Sequence, residues 1–256
     1  MIRIERYNDP RFGQVCAIVL DRPERRNALT PAALLDLKRC ALELGAEEAC
    51  RAVLVRGEGP MFCSGFDLSL CKDDPGVLTS LLSGLSEVIR TLRQLGKPVV
   101  IAAHGGALAG GCALLGGADL VITHGDAKLG YPVVTLGISP AVSGPFLAKS
   151  VGIAAARSML LDPRLISGAD AGRLGLAHVV DTAEDVLPRA QIEAVKLAEK
   201  PGHAMRATKA WLNEVDGSND AASAGAGLAA SLSLVGGAEE RLLLGEMLAR
   251  SSKRST

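Results

Sequence analysis

The sequence predicts an α/β fold, in which helices cover both faces of a parallel β-sheet and a helical region follows. Two observations predict it. Several strand-length runs are apolar throughout, among them Val15–Leu20 and residues 98–103, and helical patterns separate them. Strands without polar alternation are typical of a sheet that is buried on both faces. From about residue 187 onward, helical periodicity dominates the chain.

Local signals place the first elements. The strand at Val15–Leu20 ends before Pro23, which cannot donate a hydrogen bond to a sheet ladder. Thr30 then precedes Pro31, and this N-cap with a first-turn proline predicts a helix through residue 46. That helix is expected to turn a broad apolar stripe towards the core, made of Leu34, Leu35, Leu37, Cys40, Leu42 and Leu44.

The remaining elements continue the alternation of strand and helix. A second helix is expected to be capped by the pair Asp74-Pro75 and to stop at Gly96. A helical segment is expected after Ser167, and residues 217–219 are expected to break the C-terminal helices. Further core strands are predicted at residues 51–56, 98–103 and 120–123.

Composition excludes several classes of protein. The 256 residues carry 28 basic and 28 acidic side chains, which argues against a nucleic-acid-binding protein because such a protein needs a basic face. Hydrophobic residues make up 48%, which excludes a disordered chain. The charge-free stretch 98–118 is interrupted by glycine pairs, so it predicts a strand, a loop and a helix rather than a membrane span.

Cysteine and histidine spacing adds two expectations. The six cysteines and four histidines lack the spacing of metal ligands, so we expect no metal ion. The N-terminus is charged and has no apolar segment typical of a signal peptide. We therefore expect reduced cysteines, no membrane association and a cytoplasmic location.

Three loops each follow a predicted strand, where backbone N–H groups can face a ligand, and the second and third of them contain glycine. They are loop A (residues 20–30), loop B (61–68) and loop C (104–112). In loop B, Gly65 allows a tight turn that leaves the N–H of Phe66 unpaired. In loop C, a helix starting near Gly110 presents N–H groups at the positive end of its dipole. Two such groups predict an oxyanion hole, which stabilises negative charge on a carbonyl oxygen.

Side chains in these loops allow more than one interpretation. The arginines of loop A, which include Arg25 and Arg26, either bind phosphates or form a solvated turn. Asp67 is interpreted as a helix N-cap rather than a catalytic acid. A nicotinamide-dependent enzyme is rejected because no glycine fingerprint follows a strand, and no serine lies in a nucleophile elbow.

Four segments, in this order, resemble the enoyl-CoA hydratase/isomerase family, also called the crotonase family. They are LDRPERRNALT, FCSGFDL, AAHGGALAGGCALLGGADLVI and AKLGYPVVTLGISP. The resemblance implies a crotonase-like α/β spiral of ββα units over residues 1–190 and a C-terminal helical trimerisation region over 191–256. It also implies acyl-CoA thioester substrates, no cofactor apart from the CoA of the substrate, and a homotrimer or a homohexamer.

The resemblance implies roles for individual residues. The backbone N–H groups of Phe66 and Gly110 would form the oxyanion hole. The expected contacts with CoA and the acyl group come from Arg25, Arg26, Ala28, Ser64, Gly65, Asp67, Leu68, Gly106, Pro132 and Val133.

The sequence departs from the family at both catalytic glutamates, because Ala113 and Val133 occupy those positions. Neither side chain can activate water or protonate a carbon, so we expect thioester binding with poor hydration. Two alternatives remain open: an acyl-CoA decarboxylase or thioester hydrolase, and a non-catalytic CoA-thioester-binding relative. Other polar candidates, each with a structural alternative, are Tyr131, Ser139, His104, Asp67 and the cluster at residues 72–74.

Overall fold

The structure, a computed structural model, describes residues 1–7, 14–72, 74 and 76–253, with side chains described to residue 250. Its strands, in chain order, are β1 (Ile2–Arg6), β2 (Val15–Leu20), β3 (Ala52–Gly57), β4 (Val99–Ala102), β5 (Gly106–Leu108), β6 (Leu120–His124), β7 (Lys128–Gly130), β8 (Ile166–Ser167) and β9 (His178–Val180). Its α-helices are α1 (Pro31–Ala46), α2 (Gly76–Gln94), α3 (Gly110–Leu114), α4 (Gly144–Leu161), α5 (Gly168–Arg173), α6 (Ala183–Ala198), α7 (Gly202–Val215), α8 (Ala221–Leu232) and α9 (Ala238–Lys253).

The described strands form two sheets. The larger has the order β1-β2-β3-β4-β6-β9, and the smaller has the order β5-β7-β8. In the larger sheet every pair is parallel except β1 with β2, which is antiparallel at the edge. The predicted α/β architecture with a parallel sheet is therefore confirmed.

Helices cover both faces of the larger sheet, and alternate residues of each strand point to opposite faces. In β2, Ile18 belongs to the core under α1 and α2, whereas Val19 belongs to a second core under α6. The face of α6 is narrow and alanine-rich, with Ala190 and Ala194 fully buried, so this helix approaches the sheet closely. Each fully buried valine, leucine or isoleucine in these cores contributes about 1.5–3 kcal/mol to folding.

The predicted helix boundaries are largely confirmed. Thr30 accepts a hydrogen bond from the Ala33 N–H at 3.1 Å, and α1 starts at Pro31 as expected. Asp74 accepts a hydrogen bond from the Gly76 N–H at 2.8 Å, which supports its capping role for α2. Asp73 and Pro75, which were part of the same predictions, lie outside the described residues.

The predicted apolar stripe of α1 is wrong at two positions. Leu35 and Leu42 are 69% and 54% exposed, whereas the other predicted members are buried. These two leucines are seven residues apart, two helical turns, so they lie above one another on the outer side of α1. The apolar character of these residues alone does not distinguish the exposed side of α1 from its buried side.

The C-terminal helices attach to the core in different ways. Residue 190, where the expected core region ends, lies inside α6, and this helix packs across the larger sheet. Helix α7 is held by Lys209, whose buried Nζ donates hydrogen bonds to the Lys97 carbonyl at 2.9 Å and to the Asp119 carboxylate at 2.6 Å. Burial lowers the pKa of Lys209, although Asp119 opposes the change. None of the described helices is long and apolar enough to cross a lipid bilayer.

Candidate active site

Loops A, B and C lie side by side because each follows one of three neighbouring parallel strands, β2, β3 and β4. The carboxyl ends of parallel strands meet at one edge of a sheet, where open α/β folds bind ligands. Loop A is bonded to loop B: the Leu29 N–H donates to the Gly65 carbonyl at 2.7 Å, and the Ser64 N–H donates to the Arg26 carbonyl at 3.0 Å.

Loop B is bonded to loop C in the same manner. The Cys63 N–H donates to the Gly106 carbonyl at 3.2 Å, and the Leu108 N–H donates to the Cys63 carbonyl at 3.0 Å. The Phe62 N–H donates to the His104 carbonyl at 2.9 Å. Isolated parallel β-bridges therefore join the loops, so that loops A, B and C lie in the same order as strands β2, β3 and β4.

Gly65 permits the close approach of loops B and C. Its φ of +96° lies in the region that favours glycine. A Cβ placed on Gly65 would lie 2.9 Å from the Leu108 carbonyl oxygen and 3.4 Å from the amide nitrogen of Gly110. The turn that exposes the Phe66 amide is thus packed directly against the turn that exposes the Gly110 amide.

The backbone amides of Phe66 and Gly110 have no hydrogen-bond acceptor among the described residues. They belong to adjoining segments, because a Cβ placed on Gly110 would lie 3.0 Å from the ring of Phe66. Helix α3 has only five residues, so its dipole is weak and the pairing of two amides is the relevant feature. These two uncommitted donors therefore lie on adjoining segments at the edge of the sheet.

Ala109 holds the Gly110 amide in an uncommon conformation. Its φ is +50° and its ψ is −116°, which is costly for a residue with a Cβ. Two hydrogen bonds oppose this cost: the Ala109 N–H donates to the Gly130 carbonyl at 2.8 Å, and the Ala109 carbonyl accepts from the Ala113 N–H at 2.9 Å. Backbone strain held in this way is typical of functional sites.

Asp67 stands at the N-cap position of the 3₁₀ helix Leu68–Cys71, as predicted, but its side chain makes no capping hydrogen bond. Its carboxylate accepts hydrogen bonds from Arg22 Nη1 at 2.8 Å and from Ser69 Oγ at 2.5 Å, and no backbone N–H caps onto it. Burial alone would raise the pKa of Asp67, but the hydrogen bonds from Ser69 and Arg22 outweigh it and hold this pKa below its ordinary value. Asp67 and Arg22 thus connect loop B to loop A.

Asn27 is a positioning residue that the sequence patterns did not indicate. It has a φ of +55° and is buried. Its side chain accepts a hydrogen bond from the Arg22 N–H at 2.9 Å and donates to the carbonyls of Glu58 and Met61 at 2.8 and 3.0 Å. The available signal was an asparagine inside a turn, because asparagine tolerates positive φ better than most residues.

Arg25 and Arg26 are both exposed, and neither makes a salt bridge to a described residue. Arg26 has a φ of +51°, in the same left-handed region as the next residue, Asn27. Both guanidinium groups are therefore available to an anion. Ala28 lines a cavity of about 330 Å³ next to loop A, but Phe66, Gly110, Ala113 and Val133 do not line it, so this cavity is separate from the paired amides.

The other predicted contact residues lie around the same loops. Ser64 is half-buried and bonded through its backbone to loop A. Gly106 starts β5, and a Cβ there would lie 3.0 Å from the Lys128 carbonyl oxygen. Leu68 starts a 3₁₀ helix at Leu68–Cys71, and Pro132 starts another at Pro132–Leu136.

Ala113 and Val133, where the resemblance implies glutamates, are both apolar and at least half-buried. Ala113 is 2% exposed on α3, one turn after Gly110. Val133 is half-buried in the 3₁₀ helix Pro132–Leu136 and packs on the main core. The end of that helix, Gly137, packs against the first turn of α9, where a Cβ on Gly137 would lie 2.8 Å from the Cα of Glu240.

Among the remaining polar candidates, His104 and Ser139 have structural roles, whereas Tyr131 does not fit the role expected of it. His104 Nε2 lies 2.9 Å from the Gly59 carbonyl, and the Ser139 hydroxyl accepts from the Ala141 N–H at 3.2 Å, so both support loops. The structural alternative for Tyr131 places its hydroxyl at the surface, but only 2% of this residue is exposed. Among the residues described, no group of three or more potential metal ligands is present.

Comparison with known proteins agrees with the fold. The profile of the enoyl-CoA hydratase/isomerase family matches residues 11–227. A crotonyl-CoA hydratase of Syntrophomonas wolfei is 30% identical over 204 residues, with 78% of each chain covered. A probable enoyl-CoA hydratase of Mycobacterium leprae is 32% identical over 207 residues, with 79% of each chain covered.

Solved structures show the same similarity. An enoyl-CoA hydratase/isomerase from Xanthobacter autotrophicus superposes with a TM-score of 0.86 at 25% identity, covering 99% of this chain and 94% of that one. An enoyl-CoA hydratase/isomerase from Mycobacterium paratuberculosis gives a TM-score of 0.83 at 26% identity, covering 96% and 97%. These matches, together with the loop geometry, show that the chain belongs to the enoyl-CoA hydratase/isomerase family, a family of enzymes with the crotonase fold.

Proposed function

We propose that this protein binds an acyl-CoA thioester and stabilises its enolate through the backbone amides of Phe66 and Gly110, and that it is a poor hydratase. The observation that carries the proposal is the pair of uncommitted backbone amides, those of Phe66 and Gly110, on adjoining loops. The Gly110 nitrogen lies 3.4 Å from the Cβ position of Gly65. A thioester oxygen gains negative charge as an enolate forms, and one oxyanion donor contributes roughly 2.7–4 kcal/mol to such a transition state.

The hydration step lacks its acid and base. Adding water to an enoyl thioester needs one group that activates water and another that protonates the α-carbon. Ala113 and Val133 supply neither group, and positioned acid–base groups typically contribute about 10²–10⁴-fold to a rate. Apolar side chains such as these also disfavour an ionised group placed beside them.

Two further features belong to the proposal. Arg25 and Arg26, both exposed, would contact the CoA phosphates. The protein would form a homotrimer or a homohexamer, because its C-terminal helices expose large apolar side chains, among them Trp211 at 62% and Val215 at 64%. Size-exclusion chromatography with light scattering checks the assembly, and a stable monomer would contradict it.

Calorimetric titration with two ligands tests the role of the amides. Butyryl-CoA carries the thioester carbonyl, whereas its thioether analogue S-butyl-CoA lacks only that oxygen. Two hydrogen bonds of ordinary strength predict that the thioether binds about 5–100-fold more weakly. Equal affinity for both ligands would contradict the oxyanion hole.

A glycine substitution provides the matched control for that titration. In the Gly65→Ala variant the added Cβ would press on the Leu108 carbonyl, so the preference for butyryl-CoA should disappear. Gly125→Ala introduces the same methyl group where no heavy atom lies within 4 Å, so the preference should remain.

A further inference from the structure

A cavity of about 360 Å³ lies at the opposite end of the larger sheet from the candidate site. Arg51, which precedes β3, and Pro98, which precedes β4, both line it. Loops B and C follow the same two strands at their carboxyl ends. Because each of the six residues of β3 rises about 3.3 Å, roughly 20 Å separates the two places. This cavity is therefore distinct from the paired amides.

The side chains that line this cavity carry an excess of positive charge. Four of the lining residues are lysine or arginine, whereas Glu48 is the acidic residue among them, and His203 also lines the cavity. The whole chain has equal numbers of basic and acidic residues, so the excess is local. We call this place the basic cavity, and its cations are Arg51, Lys97, Lys200 and Arg206.

The cations of the basic cavity lack carboxylate partners. None of the four forms a salt bridge with a residue that the structure describes, and Glu47, which precedes Glu48, is bound by Arg6 at 2.6 Å. Lys97 alone is fully committed, because its buried Nζ donates to the carbonyls of Leu44 and Glu47 at 2.6 and 2.5 Å. The positive charge of the other three is therefore uncompensated within the described chain.

The Arg51 guanidinium lies against the start of α7. A Cβ placed on Gly202, the first residue of that helix, would lie 3.2 Å from Nη2 and 3.3 Å from Nε. Nη2 donates to the Lys200 carbonyl at 2.6 Å, and the other N–H groups of Arg51 have no acceptor among the described residues. A cation beside the positive end of a helix dipole is unfavourable. An anion in the cavity would offset that repulsion and accept the free N–H groups.

Arg206 brings a second guanidinium to the same place. It follows Gly202 by four residues, so both lie on one side of α7. Its Nε lies 3.2 Å from the Cβ position of Gly96, in the turn between α2 and β4. Arg51 and Arg206 therefore approach the cavity from the sheet and from the helix. Planar guanidinium groups with several donors match the oxygens of a phosphate.

The size of the basic cavity suits a small molecule. Its volume falls within the range of about 300–1,000 Å³ that is typical of small-molecule sites. Leu197 and Met205, both half-buried, also line it, so an apolar group can pack beside the cations. The lining thus combines donors for an anion with a contact surface for an organic group.

We propose that the basic cavity binds a small molecule that carries a phosphate or diphosphate group, with Arg51 and Arg206 as its main contacts. The site is separate from the thioester chemistry and does not depend on the proposed function. Such a ligand stabilises the folded protein as its concentration rises, because the unfolded chain does not contain the cavity.

Inorganic pyrophosphate without divalent cations is the probe, and calorimetric titration at constant pH and ionic strength measures its affinity. We expect the wild type to bind it and Arg206→Ala to bind about 10-fold more weakly, the effect of one lost charge-assisted hydrogen bond. Arg157→Ala is the matched control. It removes an equally exposed arginine from α4, away from the cavity, and should bind like the wild type.

Thermal unfolding provides a second readout that includes Arg51. The wild type should unfold at a higher temperature in pyrophosphate than in potassium chloride of equal ionic strength. This difference should disappear when Arg51→Ala and Arg206→Ala are combined, and it should persist in Arg157→Ala. Arg51→Ala also removes the bond to the Lys200 carbonyl, so Arg206→Ala alone decides the test if the double variant does not fold.

Two further probes distinguish a free anion from an organic phosphate. Tighter binding of phenyl phosphate than of inorganic phosphate would identify an ester whose apolar part contacts Leu197 and Met205. Equal binding of the two would identify the free anion. Both outcomes agree with a phosphate site in the basic cavity.

Three results would contradict the site. The first is the absence of binding by the wild type at millimolar pyrophosphate. The second is an equal loss of affinity in Arg206→Ala and Arg157→Ala, because the cations would then act only through overall charge. The third is a loss in the combined Arg25→Ala and Arg26→Ala variant with unchanged affinity in Arg206→Ala, because the anion would then occupy loop A. The titration with butyryl-CoA tests the proposed function separately.

Discussion

The two halves of the candidate site are built from different parts of the chain. One half consists of backbone amides, at Phe66 and Gly110, and the loops that present them are joined by hydrogen bonds from loop A through loop B to loop C. The other half consists of side chains, and there Ala113 and Val133 stand where the resemblance implies glutamates. The backbone half is complete, and the side-chain half is apolar.

This difference shows how one fold can keep a site while its chemistry changes. The amides depend on strand order, on glycines at close approaches and on the strained Ala109, so they need many residues to be in place together. An acid or a base depends on one side chain and can be replaced by one substitution. A family can therefore conserve thioester polarisation while the proton-transfer groups vary.

The largest predicted effect breaks the backbone half. Gly65→Ala adds a Cβ at a φ of +96°, 2.9 Å from the Leu108 carbonyl oxygen, so loops B and C must separate. We expect any thioester turnover to fall by about 10²–10³-fold, the usual cost of losing one oxyanion donor. Steady-state kinetics with the best thioester substrate measures it, and Gly125→Ala is the control. Unchanged turnover in Gly65→Ala would remove the paired amides from the mechanism.

A smaller effect is expected from the ion pair between loops A and B. Asp67→Asn keeps the shape of the side chain but removes the charge that Arg22 binds at 2.8 Å. The free energy of unfolding should fall by about 1.5–3 kcal/mol, towards the lower value because 28% of the Arg22 side chain is exposed. Urea denaturation measures the change. The exposed ion pair between Arg173 and Asp170 is the comparison. Only Arg173 is replaced there, because Asp170 also takes part in the capping box of α5.

Arg173→Ala is therefore the surface control for that ion pair. Its side chain is 72% exposed, so its removal should change the free energy of unfolding by less than about 1 kcal/mol. An equal loss in Asp67→Asn and Arg173→Ala would show that Asp67 does no more than an ordinary surface charge.

The arginines of loop A give a salt-dependent effect. Replacing Arg25 and Arg26 together by alanine should weaken acyl-CoA binding by several-fold, with the greater loss at low ionic strength, because salt screens attraction to phosphates. Titration at two salt concentrations measures it. The pair Arg164→Ala and Arg173→Ala makes the same change in net charge at exposed positions near α5, and should leave affinity unchanged. If the two double variants behave alike, loop A does not contact CoA.

The smallest effect concerns acid stability. The folded-state pKa of Asp67 is lower than its unfolded value, so its stabilising contribution is present above the unfolded pKa and is lost as pH falls through the folded pKa. The stability of Asp67→Asn should therefore depend less steeply on pH below about 4 than that of the wild type. Thermal melts at several acidic pH values test this. Parallel curves would place the acid sensitivity at other carboxylates.

The sequence was sufficient for features that depend on short patterns. Thr30 and Pro31 predicted the start of α1, apolar runs predicted the parallel strands, and glycine positions predicted where loops B and C turn. Each of these follows from backbone preferences that act within a few residues.

Features that depend on distant partners were not predicted. The ion pair of Asp67 follows from no local pattern, because its partner, Arg22, is 45 residues away. Leu35 and Leu42 looked like core residues because periodicity does not show which side of a helix is covered. Tyr131 was unexplained because its neighbours, Cys112 and Ser143, come from separate elements.

One measurement addresses the central claim, that the site polarises a thioester without hydrating an enoyl group efficiently. Crotonyl-CoA with a ¹³C label at the thioester carbonyl is mixed with the wild-type protein, and the infrared difference spectrum is followed over time. We expect the carbonyl band to shift to lower frequency on binding while the signal of the double bond persists. The absence of a shift would contradict the oxyanion hole. Loss of the double bond at about 10 s⁻¹ or faster, an ordinary enzyme rate, would show that other residues supply the acid and the base.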